Sequence, residues 1–220
     1  MAIVGSSLRL ACQSILTGVV GLAFSLVAAA QTCTPPPGFV DTPHPGFVAT
    51  DWLASHTEHI VVNAPLSDVV HAGGKTKIKD AIKHPDSLPG VAGEAPLNDI
   101  PFGTAGARRL VCLSDGTALE EQVLERYESP TLYRFRYVVW NYSTPRAKPI
   151  LYGIGDFLDT PVDASHTQAL WTYSFALKPN VFPGYLGAAG RWLFRVGFLD
   201  RDYAQLMRAT LRGSKNDAEN

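Results

Sequence analysis

The chain has 220 residues, of which 46% are hydrophobic, so it can bury a core without metal ions or a dense disulfide network. Its formal net charge is -1, from 19 basic and 20 acidic residues, and it contains no run of five like charges. This balance argues against a nucleic-acid partner, because such proteins present an excess of basic residues.

The first thirty residues (1–30) are predicted to be a secretory signal peptide. Arg9 supplies a thin positive region, the run from Ser14 to Ala30 is apolar and uncharged, and its final Ala triplet resembles a cleavage site. An uncleaved membrane anchor is the alternative, because the run approaches the length that spans a bilayer. The sequence therefore predicts a secreted or periplasmic protein, or one anchored by its N-terminal segment.

Residues 31–50 are predicted to form an extended N-terminal arm, because they are rich in Pro, Gly and Thr and show no periodicity. The tetrapeptide PGFV occurs twice in this arm, which is consistent with two similar docking turns. Cys12 belongs to the predicted signal peptide, so Cys33 and Cys112 are left in an oxidising compartment. Either these two cysteines form one disulfide, or they are separate thiols.

The next segment predicts one strand, two short helices and a loop. Residues 55–64 end in alternating apolar residues and read as a strand. A helix begins at Pro65 and ends near Gly73, and residues 75–83 form a second short helix. Residues 84–106 are dominated by Pro, Gly, Asp and Asn, so they predict a long loop of a kind that is usually functional.

From residue 106 the apolar pattern changes to a period of two. The predicted strands are 107–113, 118–127, 132–140, 150–158 and 166–177, joined by short turns as an antiparallel meander. From Pro183 apolar residues recur at helical spacing up to Gly213, and residues 214–220 are predicted to be a disordered tail. A long amphipathic helix after a meander can bury its apolar stripe on the concave face of the sheet.

This order of elements resembles the helix-grip arrangement of the START-like (SRPBCC) superfamily, and local motifs resemble its polyketide cyclase/dehydrase-like branch. These motifs are IVVNAPLSDVV at 60–70, GARR at 106–109, the Asp-Gly hairpin before EEQV at 120–123, Ser129-Pro130 before Tyr133, and TQALW at 167–171. The resemblance implies an α+β domain over 51–213, with two short helices after the first strand and a curved antiparallel sheet wrapped around a long C-terminal helix. It also implies a hydrophobic cavity between sheet and helix. Members of the superfamily include carriers, cyclases and dehydratases, so the fold does not fix the function.

Candidate site residues lie on the predicted strands. Arg109 and Glu121 are expected to face each other across the Asp-Gly hairpin, either as a polar anchor for a ligand or as a structural cross-strand pair. The doubled Arg108–Arg109 and Glu120–Glu121 leave the register open by one residue. The candidate cavity wall, or alternatively ordinary core, consists of Tyr133, Tyr137, Tyr152, Trp171 and Tyr173.

No metal or nucleotide cofactor is expected. His56 and His59 lie on a strand and point to opposite faces, and the chain lacks a P-loop and a dinucleotide-binding fingerprint. The sequence therefore predicts a protein that binds a small hydrophobic or aromatic molecule, lipid-like or polyketide-like. The alternatives are a polyketide cyclase or dehydratase and an envelope interaction module without ligand. Contact with a membrane is expected to be transient or through the N-terminal segment.

Overall fold

The computed structural model describes residues 33–220, so the predicted signal peptide lies outside the described residues. Seven strands form one antiparallel sheet in the order β1-β7-β6-β5-β4-β3-β2. Their bounds are β1 Leu53–Val62, β2 Val91–Pro96, β3 Arg108–Leu113, β4 Ala118–Ser129, β5 Leu132–Trp140, β6 Ile150–Pro161 and β7 Thr167–Leu177. Within residues 33–220, no helix is long and apolar enough to cross a membrane.

The helices follow β1 and β7. Helix α1 spans Leu66–Lys75 and α2 spans Ile78–Ala81, both directly after the first strand. The C-terminal helix consists of α3 (Ala188–Phe194), a π-helical segment (Arg195–Tyr203) and α4 (Ala204–Glu219). This is the α+β helix-grip architecture that the sequence predicts.

The predicted loop over residues 84–106 contains a strand that sequence reasoning missed. Strand β2 pairs with β3 and forms the outer edge of the sheet. Its sequence, VAGEAP, has no period-two pattern, and Pro96 cannot donate a ladder hydrogen bond, which suits an edge position. Backbone pairing with β3, rather than side-chain pattern, therefore defines this strand.

The C-terminal helix extends beyond the predicted end at Gly213. Helix α4 continues to Glu219, whose carboxylate accepts hydrogen bonds from the Asn63 backbone N–H and from Lys215. Lys215 also donates to the carbonyl of Val61 at 2.7 Å. Residues 214–219 are helical and bound to the end of β1, so the prediction of a disordered tail is wrong.

The two faces of the sheet carry separate apolar clusters. The concave face packs against α1 and the C-terminal helix, and its buried residues include Tyr137, Trp171, Tyr173, Phe175, Leu199 and Met207. The opposite, convex face has a smaller cluster, built around Trp140 and Tyr152.

The N-terminal arm lies over the convex face. The indole Nε1 of Trp140 donates to the carbonyl of Thr42 at 2.9 Å, and Arg108 bridges Asp41 and Glu120. Cys33 and Cys112 form a disulfide with a Cα–Cα distance of 5.4 Å. The arm is thus fixed to β3 at its start and to the middle of the sheet along its length.

Candidate ligand site on the concave face

Arg109 and Glu121 face each other on β3 and β4, with 2.8 Å between Nη2 and Oε1. Arg109 also pairs with Glu94 on β2, and its guanidinium lies 3.4 Å from the ring centre of Phe102. Burial raises the pKa of Glu121, and the positive charge of Arg109 opposes that rise. Both charges are already partnered, so the geometry matches a structural cross-strand pair at the border of the concave face.

The doubled residues of the hairpin form two ion pairs on opposite faces. Arg109 and Glu121 lie on the concave side, whereas Arg108 and Glu120 lie on the convex side beneath the arm. The side-chain period of two in a strand requires this alternation. The register left open by the sequence is therefore the one in which Arg109 pairs with Glu121, and the arm supplies further partners to Arg108 and Glu120.

A cluster of tyrosines occupies the middle of the concave face. Tyr137 on β5 and Tyr173 on β7 were predicted there, and Tyr142 and Tyr203 join them from the loop after β5 and from the π-helical segment. Burial raises the pKa of all four hydroxyls well above the usual range, so they remain protonated. Sequence reasoning missed Tyr142 because it lies outside a strand, and assigned Tyr203 only to the apolar stripe of the helix.

Two glycines of β6 make room for these rings. A Cβ at Gly155 would lie 2.1 Å from Cζ of Tyr137. A Cβ at Gly153 would lie 2.9 Å from the hydroxyl oxygen of Tyr173 and 3.0 Å from that of Tyr142. Any larger residue at these two positions would push the phenol rings off the sheet.

The rest of strand β7 follows the predicted alternation. Phe175 packs against Phe194 and Phe198 of the C-terminal helix, as expected of a core residue. Trp171 is 1% exposed and stacks on Phe157 at a centroid distance of 4.6 Å. Its indole Nε1 is buried and makes no hydrogen bond of normal geometry within the described residues.

Tyr152 does not belong to the concave face, so its prediction as cavity wall is wrong. It shares the convex face with Trp140, and its hydroxyl accepts a hydrogen bond from the backbone N–H of Val48 at 2.7 Å. On β6 the concave positions are those of Gly153 and Gly155, and Tyr152 has the opposite parity. The arm therefore binds the hydroxyl of Tyr152, the residue that the sequence analysis assigned to the cavity wall.

Asp159 is a buried carboxyl of the concave face that sequence reasoning did not find. It lies on β6 between Tyr133 of β5 and Ala169 of β7, and it is 6% exposed. Its Oδ1 has no hydrogen-bond partner among the described residues. Burial raises its pKa from 3.8 to about 7. Counting in steps of two from Phe157 would have identified this inward position.

A surface pocket of about 630 Å³ lies near the end of β6 to which Asp159 belongs, but Asp159 is not one of the residues that line it. Its walls are the start of α1, the β4–β5 turn and the end of β6 with the following turn, and they comprise Pro65, Leu66, Ser67, Val70, Glu128, Ser129, Pro130, Pro161, Asp163 and Ala164. Pro161 follows Asp159 by two residues on the same strand, so both lie on the same face. Tyr133, half-buried and opposite Asp159, also lies near this end of the sheet.

His56 and Glu58 hold the C-terminal helix to β1. The two imidazole nitrogens of His56 lie 2.8 Å from Glu58 and 2.7 Å from Asp200, and Arg208 pairs with Glu58. These groups form a charged network between strand and helix. Among residues 33–220 there is no group of three His, Cys, Asp or Glu side chains placed to hold a metal ion.

The chain matches no protein-family model and no curated protein sequence. Solved structures match it over most of its length. The crystal structure of Ara h 8.0201 is 12% identical, with a TM-score of 0.52, and the match covers 76% of this chain and 97% of that one.

Two polyketide-pathway proteins also match. The di-domain ARO/CYC protein StfQ from the steffimycin biosynthetic pathway is 17% identical, with a TM-score of 0.54, over 77% of this chain and 51% of that one. The di-domain ARO/CYC protein BexL from the BE-7585A biosynthetic pathway is 20% identical, with a TM-score of 0.51 and the same coverage. This chain therefore spans about half of each di-domain protein. The likeness establishes the START-like helix-grip fold, which was predicted, and it establishes the fold alone.

Proposed function

We propose that this protein binds a small hydrophobic or aromatic molecule on the concave face of the sheet, at the end covered by α1. The observation that supports the proposal is the pocket of about 630 Å³ between the start of α1, the β4–β5 turn and the end of β6. Small-molecule sites are typically concave and mostly apolar, with a few polar groups that orient the ligand. The pocket and the residues behind it have this composition.

The position of this pocket differs from that of the cavity that the resemblance implied, which lies between the sheet and the long C-terminal helix. Between β7 and the C-terminal helix the space is occupied by aromatic rings, because Tyr173 and Phe175 contact Phe194, Phe198 and Tyr203. The proposed ligand therefore lies under α1. Of the predicted site residues, Tyr133 is the one at this end of the sheet, paired with Asp159 and with the pocket residue Glu128. The others lie further along the face or at its border: Arg109, Glu121, Tyr137, Trp171 and Tyr173.

We further propose that the protein acts outside the cytoplasm, after removal of residues 1–30. The disulfide between Cys33 and Cys112 supports this proposal, since disulfides persist in oxidising compartments.

Native mass spectrometry of the exported protein from its own host tests ligand binding. We expect an adduct with the mass of a small molecule that is lost on denaturation. Val70→Trp should fill the pocket and remove the adduct, whereas His71→Trp, on the neighbouring exposed position of α1, should retain it. Protein that carries no adduct, and that binds no apolar fluorescent probe in competition with a host extract, would contradict the proposal.

A polyketide cyclase or dehydratase activity is the second candidate, supported by the buried tyrosine hydroxyls on the concave face. The hydroxyl of Tyr137 lies in the electrostatic field of Glu121, so proton donors and a carboxylate share one surface. The test is cyclisation or dehydration of a linear β-polyketone, followed by mass spectrometry. Tyr173→Phe should lower the rate if the hydroxyl acts as an acid, and unchanged turnover would remove the tyrosine from the mechanism.

Envelope interaction is the third candidate, supported by an exposed apolar patch near the start of the C-terminal helix. The patch comprises Trp52, Phe182, Tyr185, Leu186, Trp192, Leu193 and Val196. Residues 164–199 contain no Asp or Glu, and Arg191 lies over the ring of Trp52, so the partner that fits is an anionic bilayer. Vesicles with phosphatidylglycerol should sediment the protein, and Trp192→Ser should weaken this more than the control Val162→Ser. Equal sedimentation of both variants would exclude the patch as the surface that binds the vesicles.

A further inference from the structure

Asp159 differs from the other carboxylate in the middle of β6. Asp156 points to the convex face, where it pairs with Arg134 and Arg136. Asp159 points to the concave face, where it has no cationic partner among the described residues and one carboxyl oxygen has no hydrogen bond. The same strand thus carries one carboxylate with two guanidinium partners and one with none.

An unpartnered buried carboxyl is costly to the fold. Buried polar groups in proteins are normally hydrogen-bonded, and each exception requires an explanation. The neighbours of Asp159 on the concave face are Phe157, Ala169 and Tyr133, so an apolar side chain would fit this position equally well. Packing therefore does not account for the carboxyl.

The pocket described above lies at the same end of the sheet as Asp159. It reaches the sheet at Pro161, the next residue of β6 on the face of Asp159, and its α1 wall is largely apolar through Leu66 and Val70. Asp159 itself does not line the pocket: it lies one inward position further along β6, behind Pro161 and opposite the half-buried Tyr133.

We infer that the ligand is an apolar or aromatic molecule that carries a hydrogen-bond donor, a hydroxyl or an ammonium group, which reaches past Pro161 from this pocket and binds the carboxyl of Asp159. This inference rests on the proposed ligand-binding function and names the class of ligand. A carboxyl accepts such a donor in both of its protonation states. Its ionised form repels a carboxylate or phosphate end, so fatty-acid anions are disfavoured as the inward-facing group wherever Asp159 is ionised.

A matched series of probes tests the inference on the full exported chain with its disulfide intact. The series shares one ring system: naphthalene, 2-naphthol, 2-naphthylmethylamine and 2-naphthoate, with binding measured by calorimetry. We expect the alcohol and the amine to bind the wild-type protein about tenfold to a hundredfold more tightly than naphthalene, as a hydrogen bond to a charged group allows. At pH 8, above the Asp159 pKa of about 7, the carboxylate should bind more weakly than naphthalene.

Variants assign the preference to one residue. Asp159→Leu should bind naphthalene but lose the preference for the alcohol and the amine. Asp159→Asn should keep the preference for the alcohol and lose most of that for the amine, because an amide is neutral. Asp156→Asn, on the other face of the same strand, is the control and should retain the wild-type order.

The outcomes separate the inference from the proposed function. If wild-type protein binds none of the probes, both fail. If naphthalene, the alcohol and the amine bind equally, or if Asp159→Leu keeps the wild-type order, the ligand class is wrong while apolar binding stands. The comparison among probes on wild-type protein is decisive even if a variant fails to fold.

Discussion

Replacing Asp159 with asparagine is expected to change how the stability of the protein depends on pH. In the unfolded chain this carboxyl ionises near its ordinary pKa of 3.8, whereas in the folded protein burial raises the pKa to about 7. Between these values the unfolded state releases a proton that the folded state retains. The contribution of Asp159 to the free energy of unfolding is therefore full below about pH 4, and it is lost as the pH rises to about 7.

The size of the effect follows from the two pKa values. At about 1.4 kcal/mol per pKa unit, the rise from 3.8 to about 7 corresponds to about 4 kcal/mol of stability lost on going from pH 4 to pH 8. Asparagine has a similar shape and does not ionise in this range. The free energy of unfolding of Asp159→Asn, minus that of wild type, should thus be up to about 4 kcal/mol larger at pH 8 than at pH 4.

Urea unfolding of both proteins at pH 4, 5, 6, 7 and 8, followed by tryptophan fluorescence, measures this difference. Burial also raises the pKa of Glu121, which contributes to both proteins and cancels when one curve is subtracted from the other. Asp156→Asn serves as the control, since its carboxylate lies on the convex face with two arginines. A wild-type-minus-variant difference that stays constant from pH 4 to pH 8 would refute the reasoning about Asp159.

Three further predictions concern the framework of the site. Gly155→Ala should lower the free energy of unfolding by about 1–3 kcal/mol, because its Cβ would overlap the ring of Tyr137; Gly197→Ala, which meets no neighbour, should not destabilise the protein in the same thermal melts. Cys112→Ser should cost roughly 2–5 kcal/mol through loss of the disulfide, and non-reducing mass spectrometry of wild type should find neither cysteine alkylated. His56→Ala removes hydrogen bonds from two carboxylates, so it should speed hydrogen exchange in the π-helical segment before it affects the strands. Unchanged exchange in that segment would show that this network does not hold the helix to β1.

Much of the sheet could be predicted because its strands alternate apolar and polar residues. Strand β7 has the predicted alternation, with Trp171, Tyr173 and Phe175 on the concave face. Strand β2 lacks that alternation, so only its backbone pairing reveals it. The face of Tyr152 could not be predicted, because aromatic residues suit both sides of a sheet when each side is covered, and the sequence did not show that the arm covers the convex side.

The sequence by itself determined the order of the elements apart from β2, because hydrophobic periodicity and turn residues act locally along the chain. The helix-grip fold was what the resemblance to the START-like superfamily implied. Only the tertiary structure decided which polar groups are buried. In sequence, Asp159 stands in the segment LDTPVD, which looks like a solvated strand end. Its burial and its unpartnered oxygen arise from α1 and the neighbouring strands, which come from distant parts of the chain. Desolvation depends on what covers a side chain, and that information is not local to the residues beside it.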